Sequence, residues 1–138
     1  MSSLGLGRDV VVLACAISAG IHGALVPVHF DEGLGAGLGF AAAAAALAAL
    51  VVALTLRPAS VLALIGVAGV FTGLLAGYAL ATTTGFPVLH PDPEPVDGLA
   101  LATKAIEAIG LLAALHVLQP KGPLTWAHHG LRAQSRSR

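Results

Sequence analysis

His22 and His29 stand seven residues apart and are followed at once by Asp31 and Glu32. This is a run of imidazoles and carboxylates of the kind that holds a transition-metal ion, with zinc or copper the natural candidates. On a continuous helix His29 and Glu32 share a face at i,i+3. Pro27 complicates that geometry, because it cannot bond back to Gly23 and tends to kink the chain just before His29. A second supply of ligands follows in His90, Asp92, Glu94 and Asp97, set among prolines that favour a stiff, extended loop. The spacing is less specific than H-E-x-x-H. The plain alternative makes the histidines interfacial polar residues and residues 90–97 a loop cap.

Lys104 and Glu107 form a second constellation, charged side chains inside an otherwise apolar run. Ionisable groups at such positions are costly and face a partner or a wet cavity. Their i,i+3 spacing puts them on one face, with Thr103 at i,i+4 distance from Glu107 through the same helix and Asp97 two turns above Lys104. The chemistry this permits is either an internal ion pair that orients the helix or a ligand- or proton-binding pair. His116 lies opposite Glu107 on the helical wheel, without a second intramembrane histidine at its depth, so a haem-binding bundle is not expected.

The elements that position these groups are four long apolar runs near residues 10–28, 34–56, 61–83 and 99–118. Each is close to the roughly 20 residues that a helix needs to cross a hydrocarbon core. Hydrophobic residues make up 57% of the 138-residue chain and charged residues 10%, a balance that belongs to integral membrane proteins. The expected fold is therefore all-α: a four-transmembrane-helix bundle over residues 1–120, with a basic tail over 121–138. That assignment leaves no room for a separate soluble domain.

Basic residues orient the bundle. Arg8 precedes the first span, Arg57 separates the second from the third, and Lys121, Arg132, Arg136 and Arg138 follow the fourth, whereas the other two loops carry acidic residues and no Lys or Arg. By the excess of positive charge on cytoplasmic flanks, both termini are expected inside and the acidic loops outside, in a plasma membrane. The zero net charge hides this polarity and gives no reason to expect nucleic-acid binding. Arg8 followed by an apolar stretch also resembles a signal peptide, but the length suits a retained span and Asp9 weakens the positive n-region. Cys15, the single cysteine, has no disulfide partner within the chain and reads as a small packing residue.

With this orientation His22 lies about 9 Å below the outer boundary, Lys104 about 7 Å and Glu107 about 12 Å, counting helical rise. Ser18, Tyr78 and the threonines 82–84 belong to the same half. A polar pocket opening outward is the expectation. Gly69, Gly73 and Gly77 recur every four residues in the third span, and Gly33, Gly35, Gly37 and Gly39 open the second. Such faces let membrane helices approach closely and are expected to be internal contacts, or else a surface for a homodimer or a larger complex.

The stretch from Ala19 through Glu32, taken with Gly85-Phe86-Pro87 and the segment Glu94-Pro95-Val96-Asp97 leading to Glu107, resembles a family of small, uncharacterised four-helix membrane proteins of actinobacteria, the high-GC Gram-positive bacteria. In that pattern an acidic residue often precedes the second histidine; Val28 stands there instead, while Asp31 and Glu32 keep the acidic residues that follow. The resemblance implies the four-helix fold and draws attention to His22, His29, Glu32, Glu94 and Glu107, without implying an activity.

Phosphate-loop, nucleophile-elbow and C-x-x-C-H signatures are missing from the sequence, and an enzymatic role is not expected. The leading expectation is transition-metal binding by His22, His29, Glu32 and Glu107, for sensing, delivery or assembly, assisted by Lys104 and the 90–97 loop. A structural or accessory subunit of a larger membrane complex and a small proton-coupled transporter are the alternatives.

Overall fold

The computed structural model describes residues 3–85, 93 and 95–120. It contains α1 (Ser3–Glu32), α2 (Leu34–Leu56), α3 (Val61–Thr83) and α4 (Gly98–Leu118). Helices two and three coincide with the apolar runs. Helix one is longer than its run, because hydropathy reads the lipid-facing part of a helix and Arg8, Asp9, Asp31 and Glu32 do not break helical hydrogen bonding. The chain remains helical through Pro27. His90, Asp92, Glu94 and the 121–138 tail lie outside the described residues.

Short connections force antiparallel neighbours. Gly33 alone joins α1 to α2, and residues 57–60 join α2 to α3, where the Ser60 hydroxyl caps α3 by accepting from Ala63 N–H at 3.2 Å. Asp97 caps α4, its carboxylate accepting from Ala100 N–H at 2.7 Å. Helix α1 packs on α2 and α4, and α3 closes the ring against the same two helices.

The apolar core occupies one half of the bundle: Val11, Ala14 and Cys15 of α1 pack with Leu47, Leu54, Val67, Phe71 and Ala114 from the other three helices. Its tightest point is Gly110, where an added Cβ would come within 2.5 Å of Phe71 and 2.7 Å of Ala14. The partners Gly7–Val117, Ala14–Gly110 and Ser18–Glu107 follow one another in antiparallel register along α1 and α4. Residues 11, 15, 18 and 22 on α1, with Ala14 buried beside them, and 103, 107, 110 and 114 on α4 are buried at intervals of four, three and four. This is the seam spacing of helices packed at a shallow angle.

All four helices are long and apolar enough to cross a membrane, and only 17 to 28% of each span is buried within the bundle. The rest presents side chains such as Leu13, Leu38, Val52, Leu62, Ile109 and Leu112 outward. Water would tolerate so large an apolar surface poorly, whereas lipid solvates it. This is a multi-pass membrane protein.

The α3 glycines correct the expectation drawn from their spacing. An added Cβ at Gly69, Gly73 or Gly77 would meet nothing within 4 Å, so that stripe faces away from the bundle; only the adjacent Gly66 approaches a neighbour, Leu50. Of the glycines opening α2, Gly37 lies under the Phe30 ring, whereas an added Cβ at Gly33 or Gly39 would meet nothing within 4 Å.

Candidate functional site

Above the apolar core, the α1–α4 seam changes character. Ser18 and Glu107 are fully buried, and His22 and Thr103 nearly so. Position decides this: Ser18 and His22 continue the face of α1 that carries Val11 and Cys15, and Glu107 continues the face of α4 that carries Gly110 and Ala114.

Glu107 is the hub. Its Oε1 accepts from Ser18 Oγ at 2.9 Å, and its Oε2 accepts from Lys104 Nζ at 2.6 Å, one helical turn away. The Lys104 ammonium lies 5.5 Å from the centre of the Tyr78 ring on α3, within range of cation–π attraction. A carboxylate buried in lipid needs a cation and hydrogen-bond donors, and this one has both.

His22 sits beside the hub with its ring anchored at Nδ1. Its Nδ1 lies 2.9 Å from the Ser18 carbonyl oxygen, and a carbonyl only accepts, so Nδ1 carries a proton. Nε2 is then a lone pair in the neutral ring, and it faces Glu107 Oε1 at 3.8 Å. In that neutral form two electron-rich atoms confront each other across a gap about 1 Å wider than a hydrogen bond. A proton or another cation arriving between them is attracted by both.

His29 and Glu32 form a separate pair. His29 donates from Nδ1 to the Leu25 carbonyl at 2.9 Å, and its Nε2 lies 3.9 Å from Glu32 Oε2. The continuous helix through Pro27 gives them the shared face. Phe40 of α2 packs against both imidazoles, its ring centre 3.5 Å from that of His29, stacked, and 5.2 Å from that of His22. The expected four-residue metal shell therefore divides into His22–Glu107 and His29–Glu32. Among the described residues, no group of three or more His, Cys, Asp or Glu side chains is arranged to hold a metal ion.

No family model, curated protein or solved structure matches this chain. Its site must be read from its own residues.

Several neighbours are occupied differently from the expectation. The Thr103 hydroxyl donates to the Leu99 carbonyl at 2.8 Å instead of to Glu107, and Asp97 serves as the α4 cap. The threonines 82–84 also bond back to carbonyls of their own helix. Among the described residues the centre is closely covered: Glu107 is wholly enclosed and the Lys104 side chain retains only 16% exposure. Tyr78 Oη is buried without a hydrogen-bond partner. Sequence reasoning placed Ser18 at the right depth but missed its role as the cross-helix donor; its four-residue spacing from His22 was the available signal.

Proposed function

We propose that this chain is a proton-coupled membrane protein whose proton-binding centre is His22–Glu107–Lys104, closed by Ser18. The observation that carries this reading is geometric: His22 Nδ1 is anchored on the Ser18 carbonyl at 2.9 Å, which leaves Nε2 facing the Glu107 carboxylate at 3.8 Å. In the proposed resting state Lys104 balances Glu107, and His22 takes its neutral form. Protonation of Nε2 creates a second cation for the same carboxylate, so Glu107 is drawn toward His22 and its bond to Lys104 weakens. That competition joins α1 to α4 differently in the two states. All four helices bear on it: α1 supplies Ser18 and His22, α2 the Phe40 ring, α3 the Tyr78 ring, and α4 Thr103, Lys104 and Glu107.

Histidine changes charge most readily between about pH 5 and 8. Nitrogen-15 NMR of histidine-labelled protein in lipid nanodiscs tests the reading. His22 is expected to show the Nδ1–H tautomer at the alkaline end and protonation of both nitrogens on acidification, with the Glu107 carboxylate signal shifting in step. A His22 signal unchanged over that range, or one indifferent to Glu107→Gln, overturns it.

A metal ion is the second reading, supported by the same facing pair of lone-pair donors. It requires at least one further ligand. Elemental analysis of purified protein beside His22→Ala/His29→Ala tests it: near-stoichiometric metal lost in the double variant supports an ion site, and no metal in either overturns it. The basic flanks support placing both termini on the cytoplasmic side of a plasma membrane.

A further inference from the structure

At the opposite end of the bundle, a groove of about 570 Å³ is lined by α1, the end of α2 and Pro58. It follows α1 from Gly5 to Ala16, about 16 Å of helix by rise. Val12, Leu13 and Leu54 supply apolar walls, while Arg8, Asp9 and Thr55 supply a polar end. Arg8 as a whole is half-buried, and its Nε is shielded from solvent with no hydrogen-bond partner among the described residues. An unpaired, solvent-shielded guanidinium N–H is expensive, and its natural complement is a phosphate or carboxylate that takes its fork of donors.

The polarity of the groove decides which anion. A small free anion would leave the long apolar wall unused, whereas a phospholipid has both parts in the right order, a phosphate at the membrane boundary and an acyl chain running inward. Asp9 beside Arg8 makes the polar end neutral overall, which suits a headgroup that carries an ammonium as well as a phosphate. We propose that this groove is a specific phospholipid site: the phosphate is held by Arg8, the headgroup ammonium by Asp9, and one acyl chain by Val12, Leu13 and Leu54. The site is independent of the proton centre, which lies at the other end of the bundle.

The test uses the full chain in nanodiscs of mixed phosphatidylethanolamine and phosphatidylglycerol, followed by native mass spectrometry of the lipid retained after transfer to detergent. Wild type is expected to keep about one phosphatidylethanolamine per chain. Loss of the charge-assisted contact in Arg8→Gln is expected to reduce retention about tenfold or more, and Asp9→Asn to keep phospholipid while losing the preference for the ethanolamine headgroup. Val12→Trp fills the groove and leaves Arg8 in place, so it is expected to lose the lipid even if Arg8→Gln fails to fold. Equal retention by wild type and Val12→Trp overturns the proposal, as does displacement of the lipid by millimolar inorganic phosphate, which would mark a site for the free anion.

Discussion

Ser18 and Glu107, 89 positions apart in the chain, are joined by a 2.9 Å hydrogen bond that crosses from α1 to α4 in a fully buried layer. It ties the first helix to the last at the level where the interior turns from apolar to charged. Ser18→Ala removes this donor and leaves Lys104 as the carboxylate's remaining close partner. The expected cost is about 1–2 kcal/mol, the range for a single buried polar contact in a membrane bundle. Chemical unfolding in mild detergent measures it, and a change below the error of that experiment would show that the bond is not used.

Lys104→Met is expected to be the more damaging substitution, because it leaves a buried carboxylate without its counter-charge. Breaking such a pair costs about 3–5 kcal/mol. Lys104→Met combined with Glu107→Gln removes both charges and should recover most of the loss. A double-mutant cycle on the same unfolding curve reads the coupling; additive losses would place the two residues in separate roles.

Two glycines separate internal packing from the outer surface. Gly110→Leu must displace Phe71 and Ala14 and is expected to cost about 1–3 kcal/mol, the range for overpacking a filled core. Gly73→Leu enters open space and is expected to stay within about 0.5 kcal/mol of wild type, as substitutions on an uncrowded face do. Thermal transitions of the two variants in one detergent decide the matter, and a large loss at Gly73 would mean that its face is covered in the working protein.

Asp97→Ala is expected to cost about 1 kcal/mol by removing the α4 cap, with Asp97→Ser retaining most of it. Hydrogen exchange over the first turn of α4 reports the change directly. Because the role is capping, Asp97→Ser should leave the titration of His22 intact; a lost titration would bring Asp97 into the centre.

Helix boundaries were legible because a bilayer sets the length of an apolar run, and α2 and α3 fall on the expected residues. The Lys104–Glu107 pair was legible for a similar reason, since i,i+3 spacing acts within one helix. What the sequence withheld was rotation. Helix α3 is apolar on every side, so nothing in its hydropathy says that Gly69, Gly73 and Gly77 turn outward while Val67 and Phe71 turn in. The division of the expected metal shell has the same origin. His22 and His29 are two turns apart on one helix, but the aromatic ring that packs on both comes from α2, and its position depends on how those helices dock. Ser18 and Glu107 likewise meet only through the register of α1 against α4.

The depth expected for His22 has an electrical consequence. A charge that crosses the whole membrane field exchanges about 2.3 kcal/mol per 100 mV. Counted by helical rise from the boundary expected near Val28, His22 is about 9 Å inside a hydrocarbon layer about 30 Å thick, so in the proposed centre a proton reaching its Nε2 from the nearer face would cross about a third of that field and exchange about 0.7 kcal/mol per 100 mV. Occupancy of the centre would then respond to membrane voltage as well as to acidity, by about threefold for each 100 mV.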